Sequence, residues 1–512
     1  MFWKKSLLKN MGVVQRQGIK DSIITYFGVA LGAVNTLFIY PLIPKEELGL
    51  IEFLLSSVML LAPFVLLGVT NLVVRYFPVF EDAKTGHHGF LFFMLLLPSV
   101  GLLCLGLGLW VFQIPVQSFL SARDVLVQQY AWYIFPLLFF FVFSTLFIHY
   151  IKNFLRIVIP TLLENVLVKI GRGAITLLYC LSVIRFSELV GGIVGVYGLT
   201  LLGLVAYTYW LGQLHLKPDF RFVSKPLARE MGVFSFYGVL GSIGDSLLEW
   251  IDKVMIVLLL SQEGLGRLGV FTIVMYIGSV VDVPRRSIEK ITSPIVAHAI
   301  QRNDWAQVQE LYHKTALNQF IIGCLLLLGI WVNLDSLFDL MPADKQALYR
   351  AEKLIILLLG MRYIFDMATG INSQIIAYSK YFRMGFYFTL ALAVLNIGFN
   401  YLFIKTLALD IRGAALATLV SISLFNVIKL WFIYHKLHMQ PFTVPMLWVL
   451  PVAGAAYMAA YWLPGLGHPV FDIIIRSVVA GSIYLFSVFY LRLSPDINGL
   501  ILRLIEKLRS LR

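Results

Sequence analysis

Apolar stretches of about 20 residues recur along this chain from Ile23 to Leu491, and about 20 is the length an α-helix needs to cross the hydrocarbon core of a bilayer. Inside lipid every backbone polar group must find its partner within the spanning structure, so long continuous apolar runs become helices. Charged residues make up 13% and hydrophobic residues 59% of the chain, whereas a soluble domain carries roughly 25% charge. Most of the chain therefore meets lipid. A secretory signal has one short apolar stretch, so the repetition here describes a polytopic protein whose N-terminal segment is expected to be retained. The net charge of +13 comes from short basic clusters between apolar runs. Such clusters signal topology, whereas a nucleic-acid surface gathers its cations into one patch or stripe. Cys104, Cys180 and Cys324 fall in three separate apolar stretches, which implies neither a disulfide framework nor a thiolate metal site.

Hydropathy windows predict an all-α fold of about 14 transmembrane helices, at residues 17–42, 47–74, 89–112, 126–150, 157–184, 189–212, 231–260, 265–284, 315–334, 352–378, 384–404, 412–434, 444–463 and 470–491. An even count puts both termini on one side. With the termini inside, the inner segments carry about 26 Lys and Arg against about 9 outside, so both termini are expected in the cytoplasm. The inner cations include Lys4, Lys5, Lys9, Lys217, Lys225, Arg229, Arg285, Arg286 and Lys290.

The connection at 213–230 separates six spans from eight. It suggests an N-lobe over 1–215, a C-lobe over 226–437, two added spans over 438–494 and a basic amphipathic tail over 495–512. Leu48-Gly49 recurs as Leu268-Gly269, and the Gly195 environment recurs around Gly413. These echoes fit a parallel six-helix repeat, an arrangement that places substrate near the midplane. In the tail, Ile501, Leu504, Ile505 and Leu508 share one face, which predicts a helix lying on the cytoplasmic membrane surface.

A charge near the bilayer centre costs at least about 2.5–3.5 kcal/mol, so it calls for a partner or a wet cavity. Three spans concentrate such charges. In the fifth, Thr161, Asn165, Lys169, Arg172 and Thr176 follow helical spacing and form one stripe. Lys169 and Arg172 repel each other within one turn, with only Glu164 nearby in sequence, and are candidates for binding an anion. In the seventh, Ser242, Asp245, Glu249 and Asp252 form an acidic stripe flanked by Lys253; the last two can instead be solvated near the outer surface. In the tenth, Arg362 and Asp366 are four apart and can pair, either to fix packing or as part of a transport site. Asp21, Glu52, Arg75, Asp282, Arg285 and Arg286 are read at inner helix ends, lining a cavity mouth or, for the arginines, snorkelling.

The run Leu395-Asn396-Ile397-Gly398-Phe399-Asn400-Tyr401, followed by Ile404 and Gly413-Ala414-Ala415-Leu416-Ala417-Thr418, resembles the polysaccharide transporter family, the O-antigen and capsule repeat-unit flippases of the multidrug/oligosaccharidyl-lipid/polysaccharide (MOP) superfamily. The opening Arg16-Gln17-Gly18-Ile19-Lys20-Asp21, Glu47-Leu48-Gly49 and the stretch Asn71 to Phe77 are similar to it as well. The resemblance implies two six-helix bundles working by alternating access in a bacterial plasma membrane. It implies export of an undecaprenyl-pyrophosphate-linked oligosaccharide, in company with membrane lipids and other polysaccharide assembly proteins.

On that basis Lys169, Arg172, Asn165 and Arg362 are the candidate anion-binding residues. Asp245, Glu249, Asp366, Asp21 and Glu52 are the candidates for coupling or gating with H⁺ or Na⁺. No resident cofactor is expected, and the chain has no P-loop pattern for direct ATP use. A lipid II or multidrug exporter is the alternative within the superfamily. A membrane-embedded glycan polymerase or ligase needs catalytic groups on a sizeable outer loop, and the longest outer loop here runs only from about 335 to 352.

Overall fold

The computed structural model describes residues 20–510 except 22, 83, 114–123, 261–262 and 466. The first lysines and the opening motif at 16–19 lie outside the described residues. So do the side chains of Leu504, Ile505 and Leu508.

Every regular element among the described residues is helical. The helices are α1 (Ile23–Leu42), α2 (Lys45–Leu66), α3 (Val69–Phe80), α4 (His87–Val111), α5 (Val125–Lys152), α6 (158–180), α7 (Phe186–Trp210), α8 (Lys225–Leu259), α9 (Gly264–Gln301), α10 (Trp305–Val332), α11 (Lys353–Ala368), α12 (Asn372–Tyr378), α13 (Phe382–Thr406), α14 (Asp410–Leu437), α15 (Val444–Tyr461), α16 (Pro469–Tyr490) and α17 (Pro495–Ser510).

Twelve of these helices are long and apolar enough to cross a membrane, and α11 with α12, bent by 49°, makes 13. The sequence predicts about 14. The remaining one is α6, a continuous helix in which Glu164, Lys169 and Arg172 interrupt the apolar run. Its charges are the feature that makes it interesting functionally.

Besides the bent α11–α12 pair and α10, which starts ten residues before its predicted boundary, two predicted spans differ in ways that bear on the site. The second is broken: Leu67 and Gly68 adopt φ of 47° and 72°, a left-handed pair that ends α2 and starts α3. The hydroxyl of Ser235 on α8 donates to the Leu67 carbonyl left without a helical partner there. The eighth runs on to Gln301, so Arg285, Arg286 and Lys290 sit on a helix and not in a loop. Hydropathy reports where a segment stops being apolar; the helix continues because its backbone bonds do not depend on that boundary. The predicted outer loop near 335–352 also holds two short helices, Leu334–Asp339 and Ala343–Ala351.

The chain forms two compact units, Met1–Gly269 and Val270–Arg512. Their boundary falls inside α9, and α8 packs on α2 within the first unit. Ser246 Oγ donates to the Met59 carbonyl at 2.7 Å, and an ion pair joins the same two helices further along. In the first unit α2 is the most enclosed helix, with Leu48, Leu50, Leu54, Val58 and Val65 almost fully buried. It meets the beginning of α9 where Gly49 and Gly269 face each other. In the second unit α10 packs with α15 and α16 around Ile321, Cys324, Val449 and Tyr484. A second cluster joins α9, α10, α12 and α14 through Val296, Tyr312, Ile375 and Ile433.

Candidate charged centre in each unit

The first centre is built on Glu52, two turns into α2 and almost fully buried. Its Oε1 accepts from Arg172 Nη2 on α6 at 2.9 Å, and its Oε2 accepts from Lys253 Nζ on α8 at 2.9 Å. One carboxylate thus holds two cations from two other helices. The Arg172 guanidinium lies 5.5 Å from the Tyr40 ring centroid, and the Lys253 ammonium 5.3 Å from that of Trp250. Aromatic faces add to the stabilisation of such buried cations. Arg172 Nε is buried without a hydrogen-bond partner.

One turn before Arg172, Lys169 Nζ donates to the Gly28 carbonyl at 2.9 Å. No carboxylate lies within ion-pair distance of Lys169 among the described residues. Asn35 Nδ2 on α1 donates to the Lys169 carbonyl at 2.7 Å, so α1 and α6 are stitched by a side chain of each donating to a backbone carbonyl of the other. This stitching coincides with irregular winding: residues Leu163–Leu167 of α6 and Asn35–Ile39 of α1 are π-helical turns. A π turn inserts a residue, rotates the rest of the helix about its axis, and frees carbonyls for other donors.

The fifth-span stripe is therefore only partly as its spacing predicts. Thr161 and Thr176 are buried, Asn165 is half-buried beside Gly28, and Glu164 is exposed. Asp21 accepts from Thr161 Oγ1 at 2.5 Å. Asp21 and Glu52, expected together at inner helix ends, are at opposite ends of α6. Their partners Thr161 and Arg172 are separated by 11 residues, about 16 Å at 1.5 Å per residue. On α8 the acidic stripe divides: Asp245 and Glu249 are exposed, whereas Asp252 and Lys253, for which the sequence allows solvation at the outer surface, are each only 7% exposed.

The second centre lies in the second unit. Asp366 on α11 does not pair with Arg362. Its Oδ2 lies 3.4 Å from Arg285 Nε on α9, and its Oδ1 accepts from Asn426 Nδ2 on α14 at 3.0 Å. Four residues along one helix permit a pair, but the guanidinium within ion-pair distance of this carboxylate comes from α9. The Arg362 guanidinium sits over the Tyr363 ring at 4.3 Å, and its Nε is buried without a hydrogen-bond partner.

From Asp366 the network continues in both directions. Asn426 Oδ1 accepts from Asn372 at 3.2 Å, and Lys429 Nζ donates to Asn372 Oδ1 at 3.1 Å and Ser373 Oγ at 3.0 Å. Arg285 also holds Asp282 at 2.5 Å and Glu289 at 2.7 Å. Asn372, Asn426 and Lys429 are site residues absent from the candidates that sequence spacing supplies. Lys429 lies within a predicted span and Asn426 one turn before it on the same face, so the rule applied to the other intramembrane charges would have found them.

Each of the two units of this helical membrane protein thus holds a buried charge centre. The model of the polysaccharide biosynthesis protein family matches residues 19–283, more than half of the chain, and the MatE model matches residues 242–402. The chain belongs to the polysaccharide biosynthesis protein family.

Solved structures share the fold. The lipid II flippase MurJ in an inward closed conformation superposes with a TM-score of 0.71 at 14% identity, over 93% of this chain and 99% of that one. An inward-facing multidrug resistance MATE family transporter of the MOP superfamily gives 0.62 at 14% identity, over 82% and 98%. A MOP superfamily transporter from Pyrococcus furiosus gives 0.54 at 15% identity, over 83% and 95%. No curated protein matches the chain in sequence. The three are described as a flippase and two transporters, and this chain, with 12 helices among its described residues long and apolar enough to cross a membrane, is a multi-pass membrane protein.

Proposed function

We propose that this protein moves an undecaprenyl-pyrophosphate-linked oligosaccharide across the bacterial plasma membrane by alternating access, for the assembly of a surface polysaccharide, with both termini in the cytoplasm. The observation that carries the reading is the local imbalance at Glu52, where two cations share one carboxylate while Lys169, a turn away, has only a backbone carbonyl. A pyrophosphate can take up this imbalance. Arg offers a planar fork of donors and Lys a mobile point charge, and both suit phosphate oxygens. An arriving anion would compete with Glu52 for Arg172.

The lipid II reading rests on the same chemistry, since an anionic head fits the same cations, and on the likeness to the lipid II flippase over nearly the whole chain. A multidrug exporter of cationic compounds fits the Glu52 centre less well. For energy, H⁺ or Na⁺ acting at Asp245, Glu249 or Asp366 can bias the two access states only through differential affinity for them. Asp366, held by Arg285 and Asn426, is the more enclosed of the three.

The test is export of lipid-linked oligosaccharide in cells lacking their own repeat-unit flippase, with wild type, Lys169→Ala and Arg172→Ala at matched membrane levels. Export by the wild type and its loss in both variants supports the reading. Normal export by the variants removes the anion site. Failure of the wild type here, together with rescue of cells depleted of their lipid II flippase, assigns the other cargo.

A further inference from the structure

At the other end of the first unit from the Glu52 centre, α3 and the start of α8 enclose a groove of about 710 Å³. Its polar wall carries Arg75, Lys225 and Arg229. None of the three lies within ion-pair distance of a carboxylate among the described residues. The one acid in the lining, Glu230, accepts at Oε1 from Tyr76 OH, another lining residue, at 2.9 Å, so the lining holds three cations against one carboxylate. The Arg75 guanidinium is held over the Phe234 ring, 4.4 Å from its centroid. Lys225 and Arg229 fall in the first two turns of α8, where the helix dipole adds positive potential.

The polarity of α8 changes within one further turn. Val233, Phe236 and Tyr237 are 53%, 61% and 61% exposed, and Val74 and Val79 beside Arg75 on α3 are 56% and 53% exposed. Cations without a carboxylate partner therefore adjoin an apolar surface of the kind that faces hydrocarbon. The bias of basic residues places this end of both helices on the cytoplasmic side, where anionic headgroups attract cations at the membrane surface. A soluble phosphate would use the cations alone; an amphiphile uses both parts.

We propose that this groove seats the phosphate headgroup of an anionic membrane lipid, with Arg75, Lys225 and Arg229 around the phosphate and a hydrocarbon chain against Val233 and Tyr237. The site is separate from the Glu52 centre and does not depend on the identity of the cargo. Occupied, it ties α3 to the first turns of α8, the two helices that meet across the Leu67–Gly68 break.

The full chain, purified in detergent and stripped of lipid, is titrated with short-chain phosphatidylglycerol, phosphatidylcholine and soluble glycerol phosphate. Bound ligand is read by native mass spectrometry and the melting midpoint is followed in parallel. The wild type is expected to bind phosphatidylglycerol at least about tenfold more tightly than either of the others. The Arg75→Gln/Arg229→Gln double variant loses that preference, and Arg75→Lys/Arg229→Lys keeps most of it. Should the glutamine variant not fold, Val233→Glu, on the exposed surface, reads the same site by adding a negative charge to it. Binding that survives both Arg75→Gln/Arg229→Gln and Val233→Glu overturns the site, and glycerol phosphate matching phosphatidylglycerol overturns the lipid as its occupant.

Discussion

Glu52 Oε1 lies 2.9 Å from Arg172 Nη2, although the two residues are 120 apart in sequence. The pair sets where charge resides in the first unit, because Lys253 must share the same carboxylate. Removing one partner of a buried ion pair strands the other, at a cost of about 3–5 kcal/mol. Glu52→Ala is expected to lower the melting midpoint of the purified protein markedly and to abolish export. Adding Lys253→Met to Glu52→Ala should recover part of the stability, because one stranded charge is then gone. A double variant no more stable than Glu52→Ala alone would show that the two charges do not share one centre.

Gly49 and Gly269 face each other where α2 meets the start of α9. A Cβ on Gly49 would overlap the Leu265 carbonyl, and one on Gly269 would overlap the Lys45 carbonyl and lie 3.2 Å from Gly49 N. Small residues are what let two helix backbones meet so closely in a membrane. Gly49→Ala should cost about 1–3 kcal/mol, the range for overpacking, whereas Gly106→Ala, where an added Cβ meets open space, should not destabilise. Melting of both variants in detergent checks this; equal midpoints would refute the crossing.

Arg285, and not Arg362, is the ionic partner of Asp366. A double-mutant cycle on thermal stability between Arg285→Ala and Asp366→Ala should give a coupling of about 0.5–3 kcal/mol, and the cycle between Arg362→Ala and Asp366→Ala a smaller one. The reverse order would restore the pairing that the sequence spacing implies.

Asp219, in the connection between α7 and α8, has its Oδ2 3.0 Å from Nδ1 of His88 in the first turn of α4, and His88 stacks on Phe222. This hydrogen bond holds the Asp219 carboxyl below the usual aspartate range, and the Lys84 N–H and Thr85 hydroxyl do the same for Asp82. A carboxyl lowered in the folded state stabilises it above the ordinary aspartate pKa, and that contribution is lost as pH falls through the folded value. Melting midpoints taken between pH 6 and pH 3 should therefore fall less steeply for Asp219→Asn than for the wild type. Identical slopes would mean that the clasp between the 82–89 turn and the 213–224 connection is not carried by this carboxyl.

Much of the fold is legible in the sequence because hydropathy reports the solvent of each segment. The order of the spans, the long α8 and the helical tail follow from it, and so does the notice that Lys169, Arg172, Asp245 and Asp366 sit where charges are costly. The glycines of the Leu48-Gly49 and Leu268-Gly269 echo meet in the structure, a contact that sequence spacing does not reveal. The break at Leu67–Gly68 escapes a hydropathy reading because both flanking segments are apolar and no change registers between them.

The sequence by itself determined that this is a multi-pass helical membrane protein and which side chains would need partners in lipid, because length, apolarity and charge act locally along the chain. Only the tertiary structure decided which partners they have. Glu52 joins Arg172 and Lys253 across 120 and 201 residues, and Arg285 displaces Arg362 at Asp366. Pairing in a membrane depends on which helix faces meet and on turns, such as the π segments of α1 and α6, that rotate a face away from where its spacing alone would put it.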